Sequence, residues 1–153
     1  MAPPKKSKRF QYNLESALKF RELREEQEKE KYNEAERKYN EELDKEEKLI
    51  QQEVSERLGL SAEIAAGKLL DFQQILMRKA HLETLKVEII EQTKVREEAE
   101  EAKRIQHEAL VQAMKDRKIL EEDKKKRREE WKALMKKEEM KFLDEIATIG
   151  FVR

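Results

Sequence analysis

Turn residues and thiols are scarce in this sequence: 153 residues include no cysteine, two prolines, three glycines and a single tryptophan. The lack of cysteine suits a reducing cytoplasm. So few glycines and prolines leave too little turn chemistry for a compact chain of short elements, and apolar residues, at 37%, are too few for a sizeable core. β-Branched and aromatic residues are sparse and fall at helical spacing rather than in alternation, which argues against sheets. No apolar run approaches the roughly 20 residues that span a bilayer, and the charged start has no apolar signal core, so a soluble, cytoplasmic protein is expected. A charge excess is missing as well. The 35 basic and 35 acidic side chains are thoroughly mixed, which argues against nucleic acid or an anionic membrane as the main partner.

What the sequence has in abundance is charge itself, 46% of all residues. A chain this polar could stay disordered, but its charges are carried by the strong helix formers Glu, Lys and Arg, interleaved with Ala, Leu and Gln. Helix, ordered alone or by a partner, is therefore expected, with i,i+4 ion pairs on its exposed faces.

Residues 1–9 hold Pro3, Pro4, Lys5, Lys6, Lys8 and Arg9 and read as a flexible basic tail. From about 11 to 58 nothing breaks a helix, and Asn13 is a candidate N-cap. Gly59 to Gly67 reads as a bend, with Gly59 closing the first helix and Ser61 capping the next segment. A second uninterrupted helix is expected over about 68–148, ended by Gly150. The expected fold is all-α: two long unequal helices in an antiparallel coiled-coil hairpin, one domain over residues 10–153.

In such a hairpin, facing residue numbers sum to a constant. With a sum of 128, Leu14 meets Met114, Leu18 meets Leu110, Tyr39 meets Ile89 and Leu43 meets Leu85. Arg96, Lys103 and Arg117 then sit where strict heptads place Leu or Ile, which predicts a weak seam.

Two features offer binding surfaces. Beyond the end of the shorter helix near Phe10, the longer one carries Trp131, Leu134, Met135, Phe142 and Ile146 on one face, at steps of three and four. Nothing in a monomer covers them, so they form a partner site, or else a homodimer or another hairpin register buries them as ordinary seam. Phe10, Tyr12 and Phe20 would lie beside them. Around the bend, Leu49, Ile50, Val54, Leu58 and Leu60 and the stretch from Leu69 to Met77 exceed the two apolar residues per heptad that a seam needs. The surplus either closes the tip as a small core or forms a second docking surface with Phe72 and Leu76.

No catalytic pattern is present. There is no glycine-rich phosphate loop, nucleophile elbow or HExxH pair, and no cofactor is implied. His81 and His107 are far apart in sequence and read as helix-surface or seam residues rather than metal ligands. The basic run Lys124 to Arg128 is flanked by Glu121, Glu122, Asp123, Glu129 and Glu130, which cancel its field beyond about 8 Å. It reads as a solvated face near the end of the hairpin, or one that meets an acidic partner rim.

The two ends carry a family resemblance. Phe10-Gln-Tyr12-Asn-Leu14-Glu-Ser-Ala-Leu18-Lys-Phe-Arg21-Glu-Leu-Arg24-Glu25-Glu26 resembles the aromatic, Leu-x-x-x-Leu, Arg/Glu-rich opening of flagellar FliJ proteins. Lys141-Phe142-Leu143-Asp144-Glu145-Ile146-Ala147, with a short hydrophobic and basic tail, is similar to that family's closing segment. The resemblance covers residues 10–153 and leaves the Pro/Lys-rich start without a counterpart. It implies a non-enzymatic component of the flagellar type III export apparatus, shaped like the central stalk of rotary ATPases. The implied partners are the hexameric export ATPase FliI, the export gate FlhA and export chaperones, at the cytoplasmic face of the basal body, with membrane association only through those partners. By position, Phe10, Leu14, Leu18, Trp131, Met135, Phe142 and Ile146 would belong to the ATPase end, and Tyr39, Leu43, Phe72 and Leu76 to the gate. The alternative is a homodimeric coiled-coil scaffold or prefoldin-like holdase, in which Tyr39 would lie beside its own copy.

Overall fold

A computed structural model describes residues 9–68 and 71–152. Residues 1–8 of the expected basic tail, and Leu69 and Leu70 of the bend cluster, lie outside the described residues. Two helices account for nearly all of the rest: α1, Glu15–Ala65, and α2, Phe72–Val152, of 51 and 81 residues.

The helix ends follow local chemistry. The Leu14 carbonyl accepts the first α-helical bond, from Leu18 N–H at 2.9 Å, so the cap position falls on Leu14 and not on Asn13. Asn13 instead offers its Oδ1 to Arg127 Nη1. At the other end of α1, Gly67 N–H bonds the Ile64 carbonyl at 3.1 Å and Lys68 N–H bonds the Glu63 carbonyl at 3.0 Å. This is the Schellman arrangement, and it needs a left-handed residue, which Gly67 supplies with φ of 70°. Asp71 caps α2: its Oδ1 accepts Gln73 N–H at 3.0 Å.

The bend therefore lies between Ala65 and Phe72, later than the expected 59–67. Gly59 and Ser61 are ordinary helical residues of α1. A lone glycine lowers helix propensity by only about 1 kcal/mol, too little to stop a helix whose seam face is packed. Likewise α2 does not stop at Gly150 but runs to Val152.

The helices pair antiparallel through a heptad seam. On α2, Ile75, Leu82, Ile89, Arg96, Lys103, Leu110, Arg117, Lys124 and Trp131 recur every seven residues, and each is half-buried. Contact by contact the chain divides into two compact units, Met1–Gln27 with Val111–Arg153, and Glu28–Leu110. In the first, Tyr12, Leu18, Ala113 and Leu120 are the buried apolar residues; in the second, Leu60, Leu85 and Ala99.

Polar pairs occupy much of the seam. In the second unit, Gln92 Nε2 donates to the Glu42 carboxylate at 2.6 Å and to the Glu42 backbone carbonyl at 3.0 Å. Two heptads away Gln106 makes the same fork on Glu28. Arg96 reaches Glu46 at 2.5 Å and Glu100 at 2.8 Å. In the first unit Arg117 repeats that triad with Glu25 and Glu121. The expectation that Arg96, Lys103 and Arg117 stand at seam positions holds.

These pairs also correct the expected register. Facing residue numbers sum to between 134 and 142, as in Glu42 with Gln92 and Glu46 with Arg96, and not to 128. Leu18 joins Leu120 rather than Leu110 in a buried cluster, and Tyr39 lies under the Lys103 ammonium rather than beside Ile89. The cause is the bend. Moving its centre by about five residues, from the expected 59–67 to the stretch between Ala65 and Phe72, slides one arm along the other by about ten residues, roughly three helical turns.

Candidate partner-binding surfaces

The first surface lies where α1 begins. Phe10, preceding the helix, is half-buried between two rings: Tyr12, stacked at 6.5 Å, and Trp131 of α2, tilted at 6.1 Å between centroids. The Arg128 guanidinium covers Phe10 at 5.9 Å. Tyr12 donates its phenolic hydrogen to Asp123. Burial, and then this bond, raise the Tyr12 pKa, while the same bond holds the Asp123 carboxyl below the usual carboxylate range. Lys124 pairs with Glu15 at 2.8 Å, and Arg127 with Asp123 at 3.2 Å. The basic run is thus partly spent on structural pairing.

The corrected register changes what this end exposes. Trp131 is not uncovered but packs on Phe10, the outcome foreseen for a different hairpin register. Leu18 is only 3% exposed and available to no partner, while Leu14 is partly exposed and Met135 half-buried. Phe142 and Ile146, in contrast, are open to solvent, and so are Leu134, Met140, Leu143 and Ile149. Ile149 was missed by sequence reasoning because Gly150 was taken as a stop. Its signal was the step of three from Ile146.

The second surface lies in the unit that contains the bend. Phe72 and Leu76 are 70% and 50% exposed on the first turns of α2. At 100° per residue Val87 and Ile90, both exposed, continue that face. Sequence reasoning passed over them because they lie far from the bend. Tyr39 and Leu43 are half-buried, on α1. Tyr39 has its ring under Lys103 Nζ at 4.8 Å, and one heptad away Tyr32 meets the His107 ring at 5.5 Å. With Glu100 and Arg104 these residues line a shallow groove of about 260 Å³. Of the four residues assigned to the gate, Phe72 and Leu76 share one face; Tyr39 and Leu43 belong to the other helix.

His81 Nε2 lies 2.9 Å from the Glu56 carboxylate, a pairing between the helices. Among the described residues no group of three or more His, Asp or Glu is placed to hold a metal, and no helix is long and apolar enough to cross a membrane.

No curated protein and no solved structure matched the chain. A family model did, the one described as "Flagellar FliJ protein", over residues 10–153. The matched stretch takes in the aromatic cluster at Phe10 and Trp131, the Glu/Arg/Gln seam, the bend and the exposed end of α2. It starts at the residue where the sequence resemblance starts. The chain belongs to the flagellar FliJ family and is a component of flagellar protein export.

Proposed function

We propose that the protein is a non-enzymatic stalk of the flagellar type III export apparatus, joining the ring of the export ATPase FliI to the export gate FlhA and to export chaperones. The end where Phe10 meets Trp131, with the exposed α2 residues Phe142 and Ile146, engages the ATPase. The Phe72 and Leu76 face engages the gate. Bound in this way, the protein works at the cytoplasmic face of the basal body and reaches the membrane only through its partners.

The observation that carries this reading is the stretch of α2 beyond Trp131. It keeps helical order while presenting Phe142, Ile146 and Ile149 at 61%, 50% and 64% exposure. Large apolar side chains held in fixed geometry and left in water are what an interface presents before its partner arrives. A stalk does no chemistry; it acts by favouring some subunit conformations of the ring over others, to the extent that it binds them differently.

Stimulation of ATP hydrolysis tests the assignment. Purified protein should raise the turnover of its cognate FliI, and Phe142→Ala with Ile146→Ala should reduce that stimulation by about tenfold, as the loss of two contact side chains predicts. Both residues are exposed, so circular dichroism should show an unchanged fold. Full stimulation by the double variant would remove this end from the ATPase interface.

A further inference from the structure

We infer that the hairpin carries a salt-sensitive joint inside the unit Glu28–Leu110. Residues 28–46 of α1 and 92–106 of α2 open transiently, and more often as salt rises, while the pairing nearer the bend stays closed. Such a joint belongs to the seam itself and needs no assumption about partners.

Seam positions in this unit are buried or half-buried throughout, but what fills them changes along the arms. From 28 to 46, α1 places Glu28, Tyr32, Ala35, Tyr39, Glu42 and Glu46 there. From 92 to 106, α2 places Gln92, Arg96, Ala99, Lys103 and Gln106. None of these is a large aliphatic residue, and the one that is buried is Ala99. A groove of about 400 Å³ runs along Ala35, Ala99, Ala102 and Val95, beside seam positions filled by small side chains. Nearer the bend the seam holds Leu49 and Leu60 on α1 and Ile75, Leu82, Leu85 and Ile89 on α2. Leu60 and Leu85 are 5% and 2% exposed there.

Polar contacts therefore hold the 28–46 stretch. Glu42 accepts the Gln92 amide at 2.6 Å, Arg96 lies between Glu46 at 2.5 Å and Glu100 at 2.8 Å, and Lys103 covers the Tyr39 ring at 4.8 Å. Among the described residues no buried side-chain nitrogen or oxygen lacks a partner. Satisfied polar layers specify a register but add little net stability, because on opening each group exchanges its partner for water. Aliphatic layers have no such substitute in water. Salt widens the difference. At about 1 M the screening length is about 3 Å, against about 10 Å at roughly 0.1 M, so ions stabilise the separated charges of an opened polar layer. They do not weaken a buried leucine.

Hydrogen exchange of the full chain, read by mass spectrometry at about 0.1 M and about 1 M sodium chloride, tests this. Amides of 28–46 and 92–106 should exchange about tenfold faster than those of 53–63 and 78–89, and faster still at high salt, while the stretch nearer the bend changes little. Fraying from helix ends predicts the reverse order, since 28–46 lies in the interior of α1. Glu46→Leu with Arg96→Leu replaces one polar layer by an apolar one and should slow exchange in the joint by about tenfold and reduce its salt dependence. Equal exchange along the unit at both salt concentrations would overturn the joint. Unchanged exchange in the double variant, with the helical circular dichroism intact and the mass by light scattering that of a monomer, would overturn its polar cause. If the variant misfolds or associates, the salt comparison in the unaltered chain still decides whether the joint exists.

Discussion

Asp123 and Glu42 are carboxylates whose protonation the fold opposes. Asp123 accepts the Tyr12 hydroxyl and faces Arg127, while Glu42 takes the Gln92 amide on its carboxylate and Lys45 at 3.3 Å. The Tyr12 bond is the leading cause that lowers the Asp123 pKa, and the Gln92 bond the leading cause that lowers that of Glu42. A carboxyl with a lowered pKa in the folded state stabilises it above the ordinary carboxylate range near pH 4, and that contribution disappears as pH falls through the folded value. Tyr12 works in the opposite sense. Its pKa is raised, so its contribution is present below its ordinary value of about 10 and is lost as pH rises through the folded value. Thermal melting followed by circular dichroism should therefore show a plateau around neutrality, with losses below about pH 4 and above about pH 10. Asp123→Asn should lower the melting temperature at pH 7 and flatten the acid limb. A melting temperature that is independent of pH on the acid side would contradict these pairings.

At the scale of the element, two glycines of similar appearance have opposite roles. Gly67 is in the left-handed region, where a side chain is strained whatever space surrounds it, and its bonds close α1. Gly59 lies within α1, and a methyl group there would meet only Arg78 Nη2, at an ordinary contact distance of 3.9 Å. Gly67→Ala should destabilise the hairpin by about 1 kcal/mol, and Gly59→Ala should stabilise it by roughly 0.5–1 kcal/mol through helix propensity. Urea denaturation of the two variants checks both signs. The same pair marks the limit of what sequence could reveal. Helix, unequal arms and the polar seam at Arg96, Lys103 and Arg117 were legible, because charge pattern and heptad spacing are local signals. The bend was not, since either glycine could end a helix and only Gly67 has its cap bonds satisfied next to Asp71, a second capping residue. From that one ambiguity came the register, and from the register the mistaken exposure of Trp131. Phe142 and Ile146 survived the shift because they lie far enough along α2 to be uncovered in either register.

For the whole molecule, zero net charge conceals a division of charge across the seam. Half-buried Glu25, Glu28, Glu42, Glu46, Glu53, Glu56 and Glu63 stand on α1, and half-buried Arg78, Arg96, Lys103, Arg117 and Lys124 on α2. The exceptions are few. Arg21 on α1 donates at 2.7 Å to the backbone carbonyl of Asp116, an acidic residue itself half-buried on α2, and Asp123 on α2 serves Tyr12. Pairing α1 with a second α1 would set glutamate rows against each other, and pairing α2 with α2 would oppose arginines and lysines. Each like-charged layer costs about what an opposed pair contributes, so the difference accumulates along the seam. This disfavours the parallel homodimeric scaffold and selects α1 against α2. Leu18 and Leu120 share one buried cluster in this arrangement; residue 110 lies ten positions from 120, about 15 Å along the helix. The chain has no native cysteine, so Leu18→Cys with Leu120→Cys, treated with a short bis-maleimide, should give an intramolecular bridge at monomer mass by light scattering. Leu18→Cys with Leu110→Cys should not. Bridging of the second pair would restore the register of 128, and bridged product only at twice the monomer mass would show that the charge division selects an α1 and an α2 from different chains.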